Sequence, residues 1–104
     1  MTTACRGSAC FEALADGRAR VEGVLHFDTV ARLLPVGEQA IGAGRATLID
    51  LKDVTESDSA GLALLIEWLS FAKGAQQPLR YENVPNQIRE LAHLSDIEDL
   101  LEAR

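Results

Sequence analysis

Four successive residues able to do chemistry, Glu56, Ser57, Asp58 and Ser59, stand directly before the apolar run Ala60 to Ile66. Hydroxyls in that setting are candidate nucleophiles or phosphate acceptors, and carboxylates are candidate bases or cation ligands. A nucleophilic serine needs a positioned base, usually a histidine, held by a third group. Neither His26 nor His93 lies in a recognisable pairing with Ser59, and "SDSAG" puts Ser57 where a GxSxG elbow has its first glycine. No catalytic residue is assigned. Nucleotide binding fails on sign: "IGAGRA" precedes a strand rather than following one, and the strand-to-helix junction carries Asp53, Glu56 and Asp58. Asp50, Asp53, Glu56 and Asp58 lack the calcium-loop pattern, and a regular strand would point Asp50 and Asp53 to opposite sides. The two cysteines, Cys5 and Cys10, lack two further zinc ligands nearby and read as reduced, structurally incidental thiols. No metal and no cofactor is assigned. What remains is structural: Asp58 or Ser59 caps a helix, and the helix dipole favours the anionic neighbours.

The elements that must hold this junction can be read along the chain. "CFEALADGRARVEGVLHF" reads as two strands around Asp16-Gly17, a pair suited to positive φ in a tight turn. In the second strand Ala19, Val21, Gly23, Leu25 and Phe27 share the buried face, while Arg18, Arg20, Glu22 and His26 share the wetter one. Asp28 then suits a helix N-cap, with Val30, Leu33 and Leu34 behind it and Pro35 ending or kinking the helix near Leu34. Val36, Ala40 and Ile41 suggest a further turn or two before "GAG". "RATLIDLKDV" reads as an interior strand, apolar on both sides at its middle. A helix from about Ser59 to Lys73 follows, closed by Gly74, and "PLRYENV" is the fourth strand. Pro85 opens another helix with a core stripe of Ile88, Leu91 and Ala92, leaving His93 at the surface. Ser95 and Glu98 make a capping box for a last short helix carrying Ile97, Leu100 and Leu101. The order β-β-α-β-α-β-α-α implies an α/β fold: one small mixed sheet with right-handed crossovers and helices covering it.

The helix after Asp58 carries two apolar stripes on a wheel of about 100° per residue. Leu62, Leu65, Ile66, Leu69 and Ala72 form one; Leu64, Trp68 and Phe71 form the other. A helix so apolar must be covered twice, once by its own sheet and again either by a neighbouring helix or by another protein.

At 104 residues the chain fits one domain, 47% hydrophobic and 25% charged, an ordinary globular balance. A net charge of −6 without a Lys/Arg cluster repels nucleic acid and anionic lipid. "MTTACRGSAC" holds no signal-peptide stretch, and no run approaches the ~20 apolar residues of a membrane span. The expectation is a cytoplasmic protein without direct membrane insertion.

"IDLKDVTESDSAGLALLIEW" resembles the core of the STAS domain, the fold shared by bacterial anti-sigma factor antagonists and sulfate-transporter tails. "VEGVLHFDTVARLL" resembles that family's second strand and first helix, and "YENVPNQIRELAHLSDIEDLL" its final third. The resemblance implies a STAS-like domain over residues 9–104, after a flexible N-terminal stretch of residues 1–8. It also implies no catalytic chemistry. Carried over, the phosphoacceptor position of the antagonists is Ser59, with Asp58 before it and Gly61-Leu62 behind; Ala60 and Ala63 replace the antagonists' second hydroxyl and second glycine. "GLALL" followed by "AK" is more similar to the stand-alone STAS subunit of the Mla phospholipid transporter, which binds the cytoplasmic ATPase of an ABC complex. The implied partner is therefore an ABC transporter ATPase, holding the protein peripherally at the inner membrane in the service of outer-membrane lipid asymmetry. The alternative is an anti-sigma factor kinase acting on Ser59. The expected interface comprises Asp58, Ser59, Ala60 and Gly61 at the helix start, with Leu64, Trp68 and Phe71 along its second stripe.

Overall fold

The computed structural model describes residues 2–96 and residue 101. Its elements run β1 (Thr2–Arg6), β2 (Ala9–Ala13), β3 (Arg18–Leu25), α1 (Phe27–Gly42), β4 (Leu48–Ser57), α2 (Ser59–Gly74), β5 (Arg80–Glu82) and α3 (Asn86–Leu94). The strands lie side by side in sequence order. β1, β2 and β3 are antiparallel neighbours, whereas β4 runs parallel to β3 and β5 parallel to β4. This is the expected α/β domain with a mixed sheet.

Local chemistry accounts for most boundaries. Asp16 and Gly17 both take positive φ, 62° and 78°, as a turn between twisted antiparallel strands demands. α1 and α2 each bridge two parallel strands, and α1 packs on α2 and α2 on α3, so the helices share one face of the sheet. Into that face β2 sends Ala9, Phe11 and Ala13, β3 sends Ala19, Val21 and Leu25, and β4 sends Ile49 and Leu51, all buried. The other face is polar: Arg20 lies 2.6 Å from Glu12 and 3.9 Å from Asp53.

Several expectations need correction. Thr2–Arg6 is not a loose tail but the edge strand β1, paired with β2 through a turn in which Gly7 has φ 67°. That register sets Cys5 directly opposite Cys10, and the two form a disulfide rather than separate thiols. β3 ends at Leu25, so Phe27 is the first residue of α1 and 77% exposed instead of a buried strand residue. His26, not Asp28, is the N-cap of α1. α1 continues through Pro35, where both Pro35 and Ala31, whose carbonyl loses its partner, face solvent. Asp50 and Asp53 do not diverge: register shifts along β3–β4 pair them with Arg20 and Glu22, residues of one face. Ile88 and Ala92 of α3 are buried as its stripe requires, with Leu91 partly so, and His93 is exposed. Of the last short helix, Ile97, Glu98 and Leu100 lie outside the described residues, while Leu101 is helical and buried.

Candidate functional site

The chain enters α2 through a tight junction at the end of β4. Ser57 pairs with Leu25, and the Asp58 N–H donates to the Leu25 carbonyl at 3.2 Å, which ties the ends of β3 and β4 together. The buried Ser57 hydroxyl donates to the Asp58 carbonyl at 3.2 Å, and the Ser57 N–H donates to the Gln87 side-chain Oε1 of α3 at 3.1 Å. Asp58 is the N-cap: its carboxylate accepts from the Ala60 N–H at 2.8 Å. Gly61 is required by space. A Cβ there would stand 2.0 Å from Ser57 Oγ and 3.3 Å from Leu25 Cβ.

This packing leaves Ser59 in the open. It is the first residue of α2 and exposed, and no described residue hydrogen-bonds its hydroxyl. Glu56 and Asp58 beside it are exposed as well, and Ala60 is half-buried. Glu56 lies 3.4 Å from His26 Nε2. Next to His26 is Phe27, whose ring is the large exposed apolar group of this end among the described residues. The strand pattern hid it, because period-two alternation carried one residue too far assigns Phe27 to the core. The usable signal was Asp28-Thr29: a helix already under way there turns the preceding aromatic outward.

The second stripe of α2 does not reach the surface. Leu64 and Trp68 are 1% and 0% exposed, so they cannot form the expected interface. Their second cover is α1. The Trp68 indole N–H donates to the Leu34 carbonyl at 3.1 Å, and its ring meets Phe11 edge-on with centroids 5.7 Å apart. The ring lies where a Cβ of Gly37 would be, 2.2 Å from Trp68 Cε2, so a glycine in mid-helix opens the notch that α1 offers the indole. Phe71 is 36% exposed. It stands twelve residues from Ser59, roughly 18 Å along the helix, and so outside the same corner.

Other titratable groups serve the framework. Burial works against the Asp50 carboxylate, but hydrogen bonds from Asn83 and the Lys52 N–H, with the charges of Lys52 and Arg18, hold its pKa below the ordinary value. Burial pushes the Tyr81 pKa well up while its hydroxyl donates to the Leu65 carbonyl at 2.7 Å. Among the described residues no three His, Cys, Asp or Glu side chains converge on a metal position. A groove lined by Arg18, Thr47, Leu48, Leu79 and Arg80 lies at the opposite end of the parallel strands from Ser59. The arrangement at Ser59 thus joins an open hydroxyl, two carboxylates and one exposed aromatic ring. Such a corner suits contact with another macromolecule.

Comparison with known proteins agrees with the fold. The chain is similar to the anti-sigma factor antagonist SpoIIAA in its unphosphorylated form, with a TM-score of 0.66, 17% identity, and coverage of 86% of this chain and 82% of that one. It is likewise similar to the Bacillus cell fate determinant SpoIIAA in the phosphorylated form, with a TM-score of 0.63, 18% identity, and coverage of 84% and 82%. No curated protein sequence matches the chain. The family profile described as "Mlab, STAS domain" matches residues 12–102, nearly the whole fold from the end of β2 onward, and the chain belongs to that STAS family.

Proposed function

We propose that this protein is a non-catalytic accessory subunit that docks on the cytoplasmic ATPase of an Mla-type phospholipid ABC transporter and supports its assembly and activity. It would work at the inner membrane, held there through the ATPase, in maintaining outer-membrane lipid asymmetry. The observation that carries this reading is Phe27, 77% exposed, at the same end of the sheet as the open Ser59 start of α2. An aromatic ring ringed by polar groups is the usual make-up of a binding hot spot. Asp58, Ser59 and Ala60 supply the rim, and Gly61 keeps the helix start seated on β4. The family description supports the choice of partner. None of the described helices is long and apolar enough to cross a membrane, which fits a protein recruited through a partner.

The test is co-purification with the ATPase. Phe27→Arg and Ser59→Arg should each weaken binding by about thirtyfold or more, the size of a hot-spot loss, without unfolding the domain. Undiminished binding of both variants would refute this docking corner.

A second reading, a partner-switching antagonist controlled by phosphorylation of Ser59, is favoured by the exposure of that hydroxyl and by the SpoIIAA fold. A phosphate would add about −1.5 to −2 charges beside Glu56 and Asp58. It would disturb binding more than folding, and an anti-sigma factor kinase would have to act in trans. Intact-mass measurement after incubation with candidate kinases and ATP decides: an unmodified Ser59 removes this reading.

A further inference from the structure

We infer that Cys5 and Cys10 form a thiol–disulfide redox site that controls whether the edge strand β1 stays on the sheet. The two cysteines face each other across the β1–β2 ladder and are joined by a disulfide. Cys5 is exposed and Cys10 half-buried, so a reductant reaches the bond from the Cys5 side. The family profile begins at residue 12, so β1 and both cysteines lie outside the part that the family shares.

β1 is an edge strand, paired with β2 on one side and packed against α1. Its described side chains are Thr3 and Cys5, both exposed, and Ala4, half-buried against a groove that Phe11, Val36 and Ala40 also line. A five-residue strand with one small apolar anchor among its described side chains is marginal on backbone bonds alone. Opening the cross-link restores to the segment the conformational freedom that the closed loop removes. Release of β1 leaves β2, Ala9–Ala13, as the sheet edge and uncovers the groove beside Phe11. The Gly7-Ser8 turn is tied to the rest of the fold: the Ser8 carbonyl accepts from the Val24 N–H at 3.1 Å, and a Cβ at Gly7 would stand 3.6 Å from the Thr29 methyl.

The chemistry balances with a dithiol reductant. One reductant thiolate attacks a Cys5–Cys10 sulfur, the S–S bond breaks and a mixed disulfide forms. The second reductant thiol then displaces it, leaving two protein thiols and an oxidised, cyclic reductant. Two electrons and two protons pass to the protein.

The test is hydrogen exchange on the full chain, oxidised and after dithiothreitol, beside Cys5→Ser and the Cys5→Ser/Cys10→Ser double variant. The β1 amides, with those of β2 that pair to them, should exchange roughly ten- to a hundredfold faster in the reduced protein and in both variants. Amides of α2 should be unchanged. Alkylation and mass measurement should show two thiols after reduction and none after oxidation. Equal β1 protection in both redox states, or two free thiols persisting in oxidised glutathione, would overturn the inference. Loss of α2 protection in every reduced sample would overturn it too, because it would make the disulfide a staple of the whole domain rather than of one strand.

Discussion

Single atoms decide whether the α1–α2 seam closes. Gly37 gives up a Cβ so that Trp68 can lie against α1, and the indole N–H then finds the Leu34 carbonyl. Gly37→Ala should therefore destabilise the domain by about 1–3 kcal/mol through overpacking, and Trp68→Ala by about 3–5 kcal/mol through the cavity it leaves. Urea unfolding followed by circular dichroism measures both, and a Gly37→Ala midpoint equal to wild type would show that the notch is slack. Asp50 supplies a pH signature. Its folded pKa is depressed, so its contribution is present above the unfolded value of 3.8 and is lost as pH falls through the folded one. Asp50→Asn should flatten the acid limb of the stability profile while lowering stability at neutral pH. Tyr81 acts at the other extreme: its raised pKa stabilises fully below its ordinary value of 10.0 and is lost as pH climbs beyond it. Tyr81→Phe should make the alkaline limb shallower, as read by unfolding midpoints above that value.

Elements were legible in the sequence wherever one periodicity ran to its natural end. The Asp16-Gly17 turn, the Asp58 cap and the start of α2 follow from local chemistry alone. Gly74, by contrast, does not close the helix as expected: it is the last helical residue, Ala75 is the C-cap and Gln76 takes the positive φ of 57°. β1 was not legible, because "TTACR" carries neither an apolar alternation nor a turn pair, and its place comes from the ladder that β2 offers. The disulfide was hidden for the same reason: cysteine spacing says nothing until the register is known. The two stripes of α2 mark an apolar helix that needs two covers, but a wheel drawn from one sequence cannot tell which protein supplies the second. The answer lies well upstream, in the mid-helix Gly37 of α1. Leu64→Arg accordingly tests the element and not the interface. A buried charge without a partner at that site should cost several kcal/mol and abolish cooperative unfolding by circular dichroism, whereas Phe27→Arg should stay within about 0.5 kcal/mol of wild type.

Across the whole molecule the two sheet faces have separate tasks. One is covered by α1, α2 and α3, and the other carries cross-strand charges, with Glu12, Arg20 and Asp53 linking β2, β3 and β4. Among the described residues the exposed large apolar side chains are Phe27, Phe71 and Leu94, and of these only Phe27 stands at the Ser59 end. On the proposed docking reading, that asymmetry would confine recognition to one corner, reached from β3 and β4 together. Ser59→Glu, which imitates part of a phosphate's charge, should leave thermal unfolding within about 2 °C of wild type while changing partner capture, because the side chain touches nothing that folding needs. The seam residue Trp68 has one last use. It is the sole tryptophan, fully enclosed against Phe11 and Gly37. Excited in the near ultraviolet, the native protein should emit at short wavelength and resist acrylamide quenching. Its spectrum will therefore follow the parting of α1 from α2 with no label attached.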